Sequence, residues 1–344
     1  MAQDFEKIKL FSLPGEAIFN TMRVMDKSQL LALSLQSQKC KNLVKSLNLK
    51  TGIIKIEVSD TLDVHFTSLK LQFAYSNPQS PISITTEEPP QTIEIVYQSD
   101  NLHNFPPVQW PNRMSPQKWM AHLRFVFNYS NPPEIGFKRD QKFDPASIHK
   151  AFPDVEEISD FGNSKNLLRV FLPTVKNIAM FRDVFVDQTQ VDQKPKTLQH
   201  VMIQNLDRLN LLNFQNTKVD DLFSMNCRCF VSSPNTNITL KDVNRFLRGW
   251  IRGGNPRLEY FNVWLKGWVI SIADIGQVFQ GIPHQVLPED YEQVVKKHLH
   301  EHYLNALDRT IKGGYSIRNK HGTLATIKAS GGGFLWRLMV FVWN

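Results

Sequence analysis

The sequence predicts an α/β fold (α+β overall), in which three short N-terminal helices precede a β-meander and a region of alternating helices and strands. Three observations support this class. Residues 10–49 carry apolar side chains at helical spacing, and residues 53–97 alternate apolar and polar side chains with a period of two. Residues 195–265 place strand and helix patterns in turn, which implies parallel strands in a curved α/β sheet.

Length and composition indicate a folded protein without a disulfide framework. The 344 residues suffice for two to three domains, and an apolar share of 42% supports a sizeable core. Three cysteines favour a reducing compartment. Acidic residues precede the first apolar run, unlike in a secretory signal, and no apolar run reaches the roughly 18 residues of a membrane span. We therefore expect a cytoplasmic or nuclear protein, or both, without membrane attachment.

The predicted N-terminal helices are rich in leucine. Pro14 fits a first helical turn, where its missing N–H is no loss, and Glu16 suits the positive end of the helix dipole. A segment of about 40 residues without a metal or disulfide rarely closes a core of its own. These helices therefore need a partner, either the rest of the chain or another protein. Their apolar positions are Leu13, Ala17, Ile18 and Met22, then Leu30, Leu31, Leu33 and Leu35, then Leu43, Val44 and Leu47.

Residues 8–50 resemble an F-box, the motif that docks on the Skp adaptor of cullin-type ubiquitin ligases. The resemblance implies a Skp-family adaptor as a partner and, through it, a cullin. It is carried by Leu13-Pro14-x-Glu16-x-Ile18, by Leu30-Leu31-x-Leu33-Ser34 and by Lys39-Cys40-Lys41-x-Leu43-Val44. The adaptor-binding residues that it implies are Leu13, Pro14, Glu16, Ile18, Leu30, Leu31, Leu33 and Leu43.

A pattern typical of leucine-rich-repeat strands, L-x-x-φ-x-φ with φ apolar, recurs after residue 195. The matches are irregularly spaced, so the sequence predicts a degenerate leucine-rich-repeat-like region. Before the last match, Thr239 and Asp242 predict a capped helix that ends at Gly253-Gly254. The four matches start at Leu198, Leu206, Leu222 and Leu258.

The same region resembles the type 2 F-box-associated domain, which follows an F-box in a large nematode protein family. The resemblance is carried by 205–213 (NLDRLNLLN), 219–222 (VDDL), 225–227 (MNC), 242–250 (DVNRFLRGW) and 255–259 (NPRLE). The two resemblances together imply a receptor protein. The predicted domains are an F-box at 8–50, a β-rich and mixed α/β linker region at 51–194, the F-box-associated domain at 195–268, and a C-terminal helix and β-meander at 269–344.

Outside these motifs, short apolar runs guide the prediction. Residues 166–172 predict a buried strand and residues 174–185 a helix. Residues 287–311 predict a long helix that ends at Gly313-Gly314, and a β-meander follows over 315–343.

Candidate chemical sites are sparse. In the HLHEH run, His298 and His302 would share a helix face at a usable zinc spacing, but no further ligand set follows. Cys227 and Cys229 lack a second pair and are expected to be core residues. Since the catalytic and nucleotide-binding motifs are missing, we expect no enzyme activity, metal or cofactor.

Aromatic residues near the end of the repeat-like region offer a candidate target-binding rim. Trp264 and Trp268 flank Lys266, and tryptophan is enriched at interface hot spots. Burial in the core is the alternative for both tryptophans.

The sequence thus favours a non-catalytic substrate receptor of an SCF-type ubiquitin ligase that binds a protein target for degradation. The alternative is a stand-alone protein- or nucleic-acid-binding module, because the net charge is +8 and basic residues concentrate at 292–328. No nucleic-acid-binding motif accompanies them, so a solvated basic face is favoured. A hydrolase assembled from residues distant in the sequence is the third alternative.

Overall fold

The structure is a computed structural model, and its contacts divide the chain into two compact units, Met1–Val155 and Glu156–Asn344. Both units combine helices and strands, which confirms the predicted α/β class. The structure describes residues 10–50, 52–66, 68–75, 84–97, 108–110, 114–138, 141–160, 165–181, 196–212, 217–233, 237–265, 272–295, 310–332 and 335–343.

The first unit begins with a 3-10 turn, Leu10–Ser12, and three short helices. In a capping box, the Asp26 carboxylate accepts the backbone N–H groups of Ser28 and Gln29, and the Gln29 side chain accepts the N–H of Asp26. Ser37 caps the third helix by accepting the N–H of Cys40. The helices are α1 (Gly15–Val24), α2 (Lys27–Ser34) and α3 (Gln38–Ser46).

A sheet and two further helices complete the first unit. The sheet order is β6-β1-β2-β3-β4-β5; β1 pairs with β6 in parallel, and the remaining neighbours are antiparallel, which confirms the predicted β-meander. Trp119 of α4 meets Phe73 of β3 edge-on with ring centroids 6.3 Å apart, so α4 covers the meander. The elements are β1 (Lys55–Val58), β2 (Leu62–Phe66), β3 (Leu69–Ala74), β4 (Thr92–Tyr97), β5 (Val108–Trp110), α4 (Pro116–Val126), β6 (Glu134–Phe137) and α5 (Pro145–Ala151).

The second unit opens with five parallel strands that alternate with helices, as the sequence implied. Its sheet continues from β11 into four antiparallel strands in the order β11-β15-β14-β13-β12. The elements are β7 (Glu157–Asp160), α6 (Lys165–Phe171), β8 (Asn177–Phe181), α7 (Lys196–Met202), β9 (Arg208–Leu212), α8 (Val219–Ser224), β10 (Cys229–Ser232), α9 (Leu240–Ile251), β11 (Tyr260–Leu265), α10 (Ile272–Ile275), a 3-10 turn (Gly276–Phe279), β12 (Gln285–Val294), β13 (Thr310–Arg318), β14 (Leu324–Gly332) and β15 (Leu335–Trp343).

Several predictions for short apolar runs were wrong. The predicted strand at 166–172 is helix α6, and the predicted helix at 174–185 contains strand β8. Two of the four repeat matches, those starting at Leu198 and Leu222, begin in helices α7 and α8 and not in strands. Short apolar runs fit both the helical period of 3.6 residues and the strand period of two. Contacts with neighbouring elements therefore decide whether such a run becomes a helix or a strand.

The predicted helix at 287–311 was also wrong where the structure describes it, because β12 extends to Val294 and pairs with β13. Gly313 and Gly314 have φ angles of 61° and 105° and lie inside β13, where the pairing with β12 shifts register. They therefore lie opposite an irregularity in β12, where residues 288–291 face Gly313 alone, and do not end a helix. Residues 296–309 lie outside the described residues. The three strands β13, β14 and β15 confirm the predicted terminal β-meander.

One row of charged residues precedes the parallel strands of the second unit, and we call it the charge ladder. Its members alternate in sign across neighbouring strands. Lys176 Nζ lies 2.5 Å from Glu156 Oε1, and the Arg228 guanidinium lies 2.6 Å from Glu259 and 3.5 Å from Asp207. The charge ladder consists of Glu156, Lys176, Asp207, Arg228 and Glu259.

The backbone of the charge ladder fixes the start of each strand pairing. The carbonyls of Glu156, Lys176 and Arg228 each accept two N–H groups from the neighbouring strand, at 2.7–3.2 Å. Side-chain attraction and backbone pairing therefore select the same register.

We predict that Arg228→Met lowers the free energy of unfolding by about 2 kcal/mol, because the Glu259 carboxylate, whose side chain is only 9% exposed, loses its ion pair with Arg228. This loss of stability is smaller than for a fully buried ion pair, because the Arg228 side chain is 40% exposed. Chemical denaturation monitored by circular dichroism measures the change.

Lys176→Met is the matched control, since it removes the same kind of side chain from a ladder position whose partner is exposed. Its effect should be much smaller than that of Arg228→Met. Equal effects of the two substitutions would contradict the role assigned to Arg228.

Candidate protein-interaction surfaces

The structure divides the eight predicted adaptor-binding residues by accessibility. Leu30 and Leu31 are buried in the first unit and cannot contact a partner directly. The Ile18 N–H donates to the Pro14 carbonyl, so these two residues share one face of the first turn of α1. Pro14 and Glu16 are exposed, whereas Leu13, Ile18, Leu33 and Leu43 are half-buried.

Two exposed apolar side chains extend this accessible set beyond the sequence prediction. Phe11 is 46% exposed, and Val24, at the end of α1, is 84% exposed. Lys39 Nζ lies 4.8 Å from the Phe11 ring centroid, a cation–π contact that holds the 3-10 turn against α3. Phe11 directly precedes Ser12-Leu13-Pro14, and an aromatic residue beside this motif was the sequence signal that could have identified it.

Helix α4 covers the inner faces of α2 and α3. Ser34 of α2 and His122 of α4 are buried and hydrogen-bonded, with Ser34 Oγ 2.7 Å from His122 Nε2. Lys41 and Lys45 of α3 lie 4.7 and 4.1 Å from the ring centroid of Phe125. The rest of the chain is thus one partner of these helices, and their outer faces remain accessible.

The environment of His122 keeps its imidazole neutral. Burial, reinforced by the charge of Lys41, lowers its pKa from 6.5 to about 4. The neutral ring also packs edge-on against Trp119, with centroids 6.2 Å apart. The neutral imidazole thus joins α4 to α2 through Ser34.

The structure describes Trp264 of the predicted target-binding rim. Trp264 is half-buried in β11, and its backbone N–H donates to Ser232 Oγ at 3.2 Å. Lys266 and Trp268 lie outside the described residues. Their role in target binding stays a prediction.

A stack of phenylalanines holds α9 on the parallel sheet. The Phe246 ring of α9 lies 4.3 Å from that of Phe261 in β11, and Phe261 lies 5.5 Å from Phe230 in β10. After α9, Asn255 adopts a left-handed φ of 48° and donates from Nδ2 to the carbonyls of Leu222 and Met225. This buried amide joins the segment after α9 to the end of α8.

The segment from α7 into β11 also matches a known protein family. Residues 197–263 match the family described as F-box associated. The match supports the predicted F-box-associated domain in this segment. No curated protein and no solved structure matches the chain.

The described residues show little that could support catalysis. Cys40, Cys227 and Cys229 are buried, and burial raises the pKa of the Cys227 thiol, so it stays protonated. Within the described part of the chain, no group of three or more His, Cys, Asp or Glu residues is placed to hold a metal ion. The histidines of the HLHEH run lie outside it.

A polar cavity of about 200 Å³ lies beside α5 in the first unit. The Lys150 ammonium lies 2.6 Å from the Glu87 carboxylate in its wall. Ser147 Oγ donates to the Asp144 carbonyl, and Ser115 Oγ accepts the N–H of Lys118. Its polar groups thus have structural partners, which gives no support to the hydrolase alternative.

None of the helices in the described part of the chain combines the length and apolarity needed to cross a lipid bilayer.

We predict that acidification destabilises the first unit through His122. Its folded pKa of about 4 lies below the unfolded value of 6.5, so the unfolded chain binds the proton first and stability falls as the pH drops from 6.5 towards 4. The loss attributable to His122 reaches about 2–3 kcal/mol near pH 4. Urea denaturation at several pH values measures it.

His122→Gln provides the control, because its amide can still bond Ser34 but does not titrate. Its stability should depend less steeply on pH between 6.5 and 4 than that of the unsubstituted protein. Superimposable pH dependences would rule out His122 as the source.

Proposed function

We propose that the protein is a non-catalytic substrate receptor of an SCF-type ubiquitin ligase. In this proposal its N-terminal helices form an F-box that docks on a Skp-family adaptor and, through it, a cullin. The second unit binds a protein that is to be degraded. The main observation behind this proposal is the F-box-associated match at 197–263, which follows a helical segment with the F-box pattern.

The geometry of the N-terminal helices supports adaptor docking. Contacts of Ser34, Lys41 and Lys45 fix α2 and α3 to α4. Leu13, Pro14 and Ile18 stay accessible at the start of α1. A helical segment whose inner face is anchored and whose outer face keeps apolar side chains suits a protein partner. Within the accessible set, Phe11 supplies the largest apolar side chain beside Leu13.

The proposed mechanism is positioning. A receptor that holds a target near a charged ubiquitin-conjugating enzyme raises the effective concentration of the target lysine. The chain makes and breaks no covalent bond in this scheme. Its contribution is the affinity and the orientation of two protein contacts.

The second candidate function, a nucleic-acid-binding module built on the basic C-terminal residues, gains less support. Lys312 is ion-paired with Glu292 at 2.5 Å, and Lys328 Nζ donates to the carbonyl of Lys312. The Arg318 guanidinium donates to the Gly322 carbonyl. Lys296, Lys297 and Arg309 lie outside the described residues.

We predict that Leu13→Ala combined with Pro14→Ala reduces co-purification with a Skp-family adaptor by at least about tenfold, because both side chains lie in the accessible set. Quantitative pull-down of the adaptor by the tagged full chain measures the loss. Circular dichroism should show an unchanged fold, since neither residue is buried.

The matched control is Val286→Ala combined with Pro288→Ala, which removes an exposed aliphatic residue and a proline from β12 in the second unit. It should capture the adaptor as well as the unsubstituted protein. Undiminished capture by the Leu13/Pro14 variant would refute the F-box assignment.

A further inference from the structure

Helix α9 carries a line of cations opposite its buried face, and we call this line the cationic stripe. Its members are four, three and four residues apart, which places them on one side of a helix. At 100° per residue they centre about 180° from the buried positions, which include Phe246 and Trp250. The stripe consists of Lys241, Arg245, Arg248 and Arg252, all of them exposed.

The turn between β13 and β14 adds positive charge at the C-terminal end of the stripe. The backbone N–H of Lys320 donates to the Ile251 carbonyl at 2.8 Å. The side chains of Lys320 and His321 lie over Gly253, where an added Cβ would collide with Lys320 Cε. Cations from α9 and from this turn thus meet at one place in the second unit.

Carboxylates neutralise little of this charge. Arg245 lies 3.4 Å from Asp220, in a pair whose side chains are both exposed. Within the described part of the chain, no carboxylate lies within ion-pairing distance of Arg248, Arg252 or Lys320. The exposed pair with Asp220 also shows that the stripe can bind a carboxylate.

The stability of α9 does not require the stripe. The capping box of Thr239 and Asp242 and the buried apolar face already stabilise the helix. Lys241 lies in the first turn, where the helix dipole disfavours a cation, and like charges three or four residues apart repel one another. The dipole favours Arg248 in the last turn. The position of Lys241 and the repulsion between neighbouring cations mean that helix stability does not account for the stripe as a whole.

An exposed aromatic ring borders the stripe. Phe223 of α8 is 40% exposed and lies against Gly249 of α9, where an added Cβ would come within 2.5 Å of its ring. The glycine thus lets the ring rest on the helix beside the cations. A partner meets both positive charge and an apolar edge here.

We propose that the cationic stripe and the β13–β14 turn form the docking site for an acidic, extended polypeptide segment of the target. The proposal rests on the receptor role, because the segment belongs to the protein that is recognised. Cations along α9 are about 4.5–6 Å apart along the helix axis. Alternate side chains of an extended chain repeat at about 6.6 Å, so acidic residues at alternate positions face successive cations.

A polypeptide fits this surface better than a nucleic acid. Grooves for single-stranded nucleic acids combine cations with several stacking aromatics, whereas this face offers Phe223 on its flank. The stripe also belongs to the F-box-associated domain. An apolar side chain between the acidic residues would contact Phe223.

The test is fluorescence anisotropy at low salt with a labelled peptide of about 12 residues, long enough to span the stripe when extended. The peptide alternates glutamate and serine around one central phenylalanine. The full chain should bind it, and the triple variant Arg245→Gln, Arg248→Gln, Arg252→Gln should bind at least about tenfold more weakly. Glutamine keeps the helix propensity close to that of arginine.

The control triple variant, Lys50→Gln, Lys118→Gln and Arg169→Gln, removes the same charge from exposed positions elsewhere. It should bind the peptide within about twofold of the unsubstituted chain. Thermal melts confirm that both variants are folded. Equal weakening in both, or no binding by the unsubstituted chain, would overturn the proposal, as would tighter binding of a single-stranded DNA of equal charge.

Adaptor capture separates this proposal from the receptor role. The stripe variant should capture the Skp-family adaptor normally, because its substitutions lie in the second unit. If the unsubstituted chain fails to capture the adaptor, the ligase assignment is refuted. Binding of the acidic peptide would still support the docking site on α9.

Discussion

The register of the five parallel strands is the constraint on which the second unit depends. Each strand–helix repeat buries its apolar face only against its neighbours, so the repeats are stable only when they stack in step. A slip of one residue would turn every side chain of a strand to the wrong face of the sheet. The charge ladder opposes such a slip, because Lys176 and Arg228 each lie between carboxylates on the adjacent strands.

Both proposed surfaces lie on faces that the packing leaves accessible. The phenylalanine stack orients α9 so that its apolar side meets the sheet, and this leaves the cationic stripe outward. In the first unit, the Ser34–His122 hydrogen bond and the cation–π contacts of Lys41 and Lys45 hold the inner faces of α2 and α3 on α4. One protein contact is thus proposed for each unit.

The sequence predicted best where a local signal fixes an element. The Thr239–Asp242 capping box starts α9, as expected. Strands β8 and β12 were mispredicted because hydrogen bonds to neighbouring strands, absent from any local window, decide their conformation. Helix α6 was mispredicted because periodicity alone does not separate a short apolar helix from a buried strand. The charge ladder is not predictable from a local sequence window, because its members are 20, 31, 21 and 31 residues apart. Burial of Leu30 and Leu31, likewise, follows from packing within the first unit.

Hydrogen exchange of the full chain with and without a Skp-family adaptor tests the receptor assignment most directly. If the protein is a receptor, the adaptor should protect the backbone amides at the start of α1, around Pro14 and Ile18, from exchange. Exchange in α9 and in the parallel strands should stay unchanged. Protection that appears in the second unit and leaves α1 unchanged would contradict it.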